Sequence, residues 1–490
     1  MNGLLGEFAR LHHRDPERPL IHLPAAGRSL TADDLWRAHT AYASDLCGHG
    51  LRPGHLLVVA IGNRPASVSL LLAARALGVA VLAVDAGTTA PEIADLADRF
   101  GAAALVVPAD NAPGVEGGRR LLAEGLELVF RTSTTPRPYD DTALLKLTSG
   151  STGAPKAART TDAHLIADSR QIVTAMGIGP DETQIAAIPL SHAYGLSVIL
   201  VPLIIQGTPI VLRESFVPNQ LAEDALAFDA RTFPGVPFMF EHFVSHPPAG
   251  GWPGSLRRLV SAGARLPPDT VRAFHDRFGV KIHSFYGASE SGGISYDASD
   301  EVDGDDTVGH PLPGVTISFR PDPLTPPGTG RVHVRSSGVA AGYVGGASEE
   351  FCDGGFLTGD YGRFDTAGRL TLTGRVSSFI NVAGRKVQPA EVEDVLRRMP
   401  GVRDVRVLGT ADAQRGEQVV ACLVADGAAA GTLTTMSVRR FCSSRLAPHK
   451  IPRAVIVLDA IPLNARGKTD RRALEALVRA MREGTAGQIS

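Results

Sequence analysis

Short runs of consecutive apolar residues alternate with stretches whose apolar positions recur every three or four residues. His55–Ile61, Val79–Val84 and Ala103–Val107 are runs of the length of a buried strand. Thr31–Gly50, Pro65–Leu77 and Pro91–Phe100 carry the helical spacing between them, and the first of these opens on an N-capping threonine and closes on glycine. Alternation of this kind predicts parallel sheets covered by helices. The same texture recurs around LVFRT, QIAAIP, PIVLR and KIHSFYG. The most apolar stretch, Leu196–Leu212, is interrupted by Pro202, Gln206, Gly207 and Pro209 and has no basic flank. It reads as a buried helix followed by a buried strand rather than a membrane span. Ser69–Val84, with Arg75 in its middle, reads the same way.

After about residue 300 the texture changes. Glycine and proline crowd Gly304–Gly330, and the short runs VTISFR, RVHVRS and RLTLTG predict a β subdomain over about 300–376. From near Arg375 the pattern is that of a small α+β unit. PAEVEDVLRRM, SVRRFCSSRL and TDRRALEALVRAM are helical, and VRDVRVLGT, EQVVACLVA and RAVIVLD are strands. The expected class is therefore α/β: a large N-terminal domain of parallel-rich sheets flanked by helices, a β subdomain, and a small α+β C-terminal domain.

Composition narrows the function classes. A chain of 490 residues suggests more than one domain. Lys+Arg is 49 against Asp+Glu 51, a net charge of −2, which lacks the basic excess of a nucleic-acid binder. Cys47, Cys352, Cys422 and Cys442 are far apart and form no CxxC pair, so neither a zinc ribbon nor a disulfide scaffold is expected. With no signal-peptide pattern at the N-terminus, the expected location is cytoplasmic.

Four short segments carry candidate chemistry. In LLKLTSGSTGAPK (Leu144–Lys156) an apolar run enters a loop of glycines and hydroxyls that ends in lysine. Glycines let backbone N–H groups turn inward as an anion nest, and hydroxyls add donors, so the loop can hold phosphate oxygens. It lacks the Walker A spacing, and read by itself it is also compatible with a surface turn. FYGASE (Phe285–Glu290) ends a predicted strand in an acid, where α/β proteins place ligands. Thr358-Gly359-Asp360 sets an acid behind a tight turn, and Gly467-Lys468 is a glycine-flanked lysine. There is no GxSxG, HExxH or GxGxxG, and His242 and His246 read as a surface or core pair rather than a metal site.

Taken in order, these pieces resemble the adenylate-forming superfamily of acyl-CoA synthetases, adenylation domains and luciferases. TSGSTGAPK (148–156) resembles its phosphate loop, PLSHAYGL (189–196) its acyl-pocket motif, and SAGARL (261–266) and YGASE (286–290) its adenine and magnesium motifs. GHPLPG (309–314), TGD (358–360), GRVSSFINVAGRKVQPAEVE (374–393) and PLNARGK (462–468) follow in the family's order. The resemblance implies a large domain over 1–376 and a mobile small domain over 377–490. It also implies a two-step reaction. A carboxylate attacks the α-phosphorus of ATP, releasing pyrophosphate; the small domain rotates; a thiol then attacks the acyl-adenylate.

By the same resemblance, Thr148, Ser149, Gly150, Ser151, Thr152, Gly153 and Lys156 hold the β- and γ-phosphates. Gly263, Ala264, Tyr286 and Gly287 frame the adenine. Ser289 touches the α-phosphate and Glu290 binds Mg²⁺. Asp360 accepts from the ribose hydroxyls beside Arg375. Lys468 bridges the α-phosphate and the attacking carboxylate, Gly384 lines the thiol tunnel, Lys386 is a further cofactor-binding position, and Ser377 is the hinge. Three positions depart from the pattern: Ser377 stands where Asp or Lys is usual, Ala157 where glycine follows the loop lysine, and Ser289 for threonine.

The motif around His192 has no acid to pair with an α-ammonium, which disfavours amino-acid activation. His192, with Gly287 and an apolar wall of Val236, Phe238 and Met239, suits an aromatic or medium acyl tail, although these apolar residues are equally compatible with simple core. The implied cofactors are ATP and Mg²⁺, with a small carboxylic acid and CoA as co-substrates. A carrier-protein phosphopantetheine as acceptor, or a non-catalytic nucleotide-binding relative, are the alternatives.

Overall fold

The computed structural model describes residues 2–114, 117–131, 139–148, 155–302, 305–321, 328–346, 348–376, 380–382, 385–387, 389–412, 416–446, 448–463 and 469–486. The chain divides into two compact units: Met1–Ser318 with His333–Leu357 and Thr366–Leu370, and Phe319–Val332 with Thr358–Asp365 and Thr371–Ser490.

Two sheets organise the first unit. A seven-stranded sheet runs in the order Arg119–Leu121, Leu126–Phe130, Ala104–Pro108, Leu56–Val59, Ala80–Ala83, Leu144–Thr148 and Lys156–Thr160. Its central strands pair in parallel. Leu56, Val58, Leu82, Leu105 and Val107 pack with Ile93 and Phe100 of the helix Ala90–Phe100. That helix starts in a capping box, Thr89 with Glu92, and ends at Gly101 with φ 65°, a left-handed stop that suits glycine.

The LVFRT run departs from the parallel expectation. Leu126–Phe130 pairs antiparallel with Ala104–Pro108, because among the described residues no crossover helix joins them.

A nine-stranded sheet runs in the order His310–Pro311, Gly292–Tyr296, Ile282–Ala288, Arg258–Ser261, Thr232–Gly235, Gln184–Ala186, Ile210–Leu212, Pro19–Leu23 and Arg28–Thr31. From Ile282–Ala288 through Pro19–Leu23 the pairs are parallel. The apolar stretch from Leu196 opens on a π-helical turn, continues as the helix Val201–Gln206, stops at Gly207 with φ 77°, and re-enters the sheet at Ile210. Arg75 is accommodated in its apolar helix by Asp162 at 3.1 Å and by the carbonyls of Val79 and Thr142. Among the described residues, no helix is long and apolar enough to cross a membrane.

VTISFR, RVHVRS and RLTLTG become strands Thr316–Pro321, Gly330–Arg335 and Leu370–Arg375 of a separate five-stranded sheet. In the second unit the hairpin Val402–Asp412 and Gly416–Ala425 is joined in parallel by Ala454–Leu458. Val405, Val407, Leu423 and Val438 centre its core, against the helices Pro389–Arg397 and Thr435–Ser443.

Candidate active site

Parallel strands in one sheet end on the same side, so the segments that follow them share one rim. Register carries this out here. Gly235 pairs with Ser261 and Ser261 with Ser284, so Val236 and Gly263 follow two adjacent strand ends and Tyr286 lies two residues beyond the paired Ser284 of the next strand. Gly263 is exposed with φ 84°, Ala264 is exposed, and Tyr286 is buried. The strand predicted to end at KIHSF continues through Ala288 and folds back as an antiparallel hairpin into Gly292–Tyr296. Ser289 and Glu290 form its turn, half-buried. Gly287 is required in this hairpin, since a Cβ there would come within 2.7 Å of the Gly292 carbonyl oxygen.

The other sheet contributes Thr148 and Lys156, which face each other across the hairpin of Leu144–Thr148 and Lys156–Thr160. A short segment, 340–344, ties this hairpin to the Glu290 turn. Ala340 N–H donates to the Glu290 carbonyl, and Ala341 and Val344 N–H donate to the carbonyls of Arg159 and Ala157. That docking fixes Tyr343, whose hydroxyl donates to Glu290 Oε1 at 2.8 Å. Burial and then the charge of Glu290 push the phenol up, so it stays protonated and remains a donor. Lys156 Nζ lies 4.9 Å from the centre of the Tyr343 ring and 3.5 Å from Glu350 Oε2, with both side chains 35% exposed. A half-exposed pair at that distance is weak, so an incoming anion can displace Glu350.

His192 Nε2 lies 2.8 Å from Asp85 Oδ2. Asp85 follows the strand Ala80–Ala83, so the acid that the local motif lacks arrives from more than a hundred residues away, and the imidazole engages it. A small apolar void, with room for about one water, is lined in part by Ile61, Val84, Leu190, Ser191 and Leu196, the last three close to His192 in sequence; neither His192 nor Asp85 lines it. Val236 and Phe238 do not line that cavity. They are half-buried at the start of the helix Pro237–Ser245, where the Phe238 ring meets Phe216 edge-on at 5.9 Å.

In the second unit, Asp360 is 7% exposed, and its Oδ1 lies 2.7 Å from Arg375 Nε. Its own N–H is held by the Thr358 hydroxyl at 3.1 Å. Ser149, Gly150, Ser151, Thr152, Gly153, Ser377, Gly384 and Lys468 lie outside the described residues, as does the side chain of Lys386, whose backbone pairs with Asn381. Sequence reasoning missed Asp85, Tyr343 and Glu350. Tyr343 sits alone between glycines in GYVGG, and its meaning depends on the backbone pairing that docks it.

The model of the AMP-binding enzyme family matches residues 8–344, and that of the AMP-binding enzyme C-terminal domain matches 391–468. The chain belongs to the AMP-binding enzymes. A feruloyl-CoA synthase of Amycolatopsis sp. is 29% identical over 90% of this chain and 92% of its own. Among solved structures, ATP-bound MatB from Rhodopseudomonas palustris is 26% identical with TM-score 0.80, over 96% of this chain and 98% of that one. The amide bond synthetase McbA from Marinactinospora thermotolerans is 27% identical with TM-score 0.81, over 97% and 99%. These likenesses extend along nearly the whole AMP-binding chain and agree with its two-part α/β architecture.

Proposed function

We propose that this AMP-binding enzyme is an acid–thiol ligase that joins a carboxylic acid to AMP at the expense of ATP and passes the acyl group to CoA. The observation that carries the reading is the convergence on Tyr343 of Glu290 and Lys156, with Thr148 facing Lys156 across its hairpin; these come from two motifs far apart in sequence. A cation, hydroxyls and a carboxylate held together in this way suit a triphosphate and its counter-ion. Mg²⁺ takes few protein ligands and keeps waters and phosphate oxygens, so the single half-buried carboxylate of Glu290 is an adequate protein donor. When bound there, Mg²⁺ would offset charge on the leaving pyrophosphate.

The chemistry then follows. The acid's oxygen bonds to the α-phosphorus as the bond to pyrophosphate breaks, and positioning and charge neutralisation carry the step. Lys156 exchanges Glu350 for phosphate. Asp360, oriented by Arg375 and Thr358, accepts from the ribose hydroxyls. AMP is a far better leaving group than oxide, so a thiolate sulfur displaces it from the acyl carbon. The half-buried apolar side chains of Val236 and Phe238 support an aromatic or medium acyl acid. Asp85 is engaged by His192, which leaves an α-ammonium without a dedicated acid.

The likeness to an amide bond synthetase favours one second reading, in which an amine rather than a thiol takes the acyl group. The test is pyrophosphate release over a panel of carboxylic acids, with CoA, a holo carrier protein and simple amines as separate acceptors. Acid-dependent pyrophosphate release with thioester only in the CoA arm is expected. Release without a thioester in any arm would sink the ligase reading.

A further inference from the structure

The strand that leads into the phosphate-loop segment carries a buried cation. Lys146 Nζ lies 3.7 Å from Asp168 Oδ2, and the two side chains are 3% and 1% exposed. Asp168 belongs to the helix Asp162–Met176. Its Oδ2 also accepts from Ser197 Oγ at 2.6 Å, and its Oδ1 accepts from the backbone N–H of Gly293 at 2.8 Å. Ser197 is in the π-helical turn just after His192, and Gly293 follows Glu290 in the same hairpin. The carboxylate also shapes that hairpin sterically. Gly292 has φ 74°, and a Cβ there would come within 2.2 Å of Asp168 Oδ1.

Taking two charges out of water costs more than their attraction often returns, and apolar replacements of buried pairs are frequently as stable. The pair's value is therefore sought in geometry. Its two residues touch, through one carboxylate, the strand ending at Thr148, the hairpin turning at Glu290 and the turn after His192.

We propose that the Lys146–Asp168 pair is a positioning element for the first half-reaction, holding the phosphate-binding strand and the Glu290 hairpin in register. The proposal rests on the adenylating function given above. Neither residue touches the reacting atoms; they act through Thr148, Glu290 and His192.

Three variants test it: Asp168→Asn, Lys146→Met and the double variant. Asn keeps the shape of Asp168 but loses its charge, and the double variant removes both charges together. Two rates are measured for each: pyrophosphate release against Mg·ATP concentration, and thioester formation from pre-made acyl-adenylate and CoA. The expected result is a KM for Mg·ATP raised about tenfold in every variant, with thioester formation changed by less than about twofold. A purely structural pair would lower only the melting temperature, and the folded double variant would then show the wild-type KM; that result overturns the proposal. Equal loss of both half-reactions overturns it, as does a double variant that cannot fold. Where only the single variants fail to fold, the KM of the double variant decides. A wild-type protein that releases no pyrophosphate with any acid would instead sink the functional reading, and this proposal with it.

Discussion

Tyr343 donates a hydrogen bond to the carboxylate of Glu290 and stands beneath the ammonium of Lys156. Tyr343→Phe keeps the ring and removes only the hydroxyl, so it isolates the contact to Glu290. A hydrogen bond to a charged group contributes about 1.5–3 kcal/mol, and the variant should raise the KM for Mg·ATP by about tenfold or more. Initial rates of pyrophosphate release check this, and an unchanged KM would remove Tyr343 from the site. Asp360→Ala should weaken ATP binding by a similar roughly 1.5–3 kcal/mol, read by calorimetry. Folding stability should change little, since the Arg375 side chain left behind is 65% exposed and water can take over its pairing.

At the scale of elements, the hairpins are shaped by glycines that no other residue replaces cheaply. Gly309 has φ 77°, and a Cβ there would lie 2.0 Å from the Tyr296 carbonyl oxygen. Gly309→Ala must therefore push strand His310–Pro311 off Gly292–Tyr296, the strand that continues from the Glu290 turn. It should cost at least about 2 kcal/mol in urea denaturation, through strain plus collision. Gly27 is the control: its φ is 59° but a Cβ would meet nothing within 4 Å. Gly27→Ala should cost only the conformational strain, about 1 kcal/mol. Equal losses at the two positions would mean that the contact with Tyr296 is not what makes Gly309 necessary.

For the whole molecule, acid should be destabilising. Burial lowers His283 below its ordinary 6.5, and the same cause lowers His39. Unfolded, both titrate near 6.5. As pH falls through that value the unfolded chain takes up protons the folded chain refuses, so stability is level above about 6.5 and falls below it. Burial raises the Glu393 carboxyl, which acts with the opposite sign: its penalty grows as pH rises above the ordinary carboxylate range. His283→Gln removes that residue's share and should lessen the drop in melting temperature between about pH 7.5 and 5.5. An unaltered slope would assign the acid sensitivity elsewhere. In the proposed two-step reaction, Lys468 would serve the first step alone. Lys468→Ala should slow acyl-adenylate formation by roughly 10²–10³, while thioester formation from pre-made acyl-adenylate continues near the wild-type rate. Loss of both half-reactions in a folded variant would contradict a role confined to the first.

Elements and motif order were legible in the sequence because both are local or linear. Apolar runs at His55–Ile61 and Val79–Val84 announce strands through their length, and Thr31 announces a helix start through the donor it satisfies. Family membership follows from a series of short motifs in a fixed order, and needs no coordinates. Pairing partners were another matter. The direction of Leu126–Phe130 depends on whether its connection crosses the sheet. The acid beside His192 comes from the end of another strand, and Tyr343 acquires its contacts only when segment 340–344 docks on two hairpins. Lys146 and Asp168 each look like an error in an apolar pattern until the fold brings them within 3.7 Å. Periodicity reports which face of an element avoids water. It carries no information on which buried polar group meets which, since that is decided by strand register and by the desolvation cost of leaving either one alone.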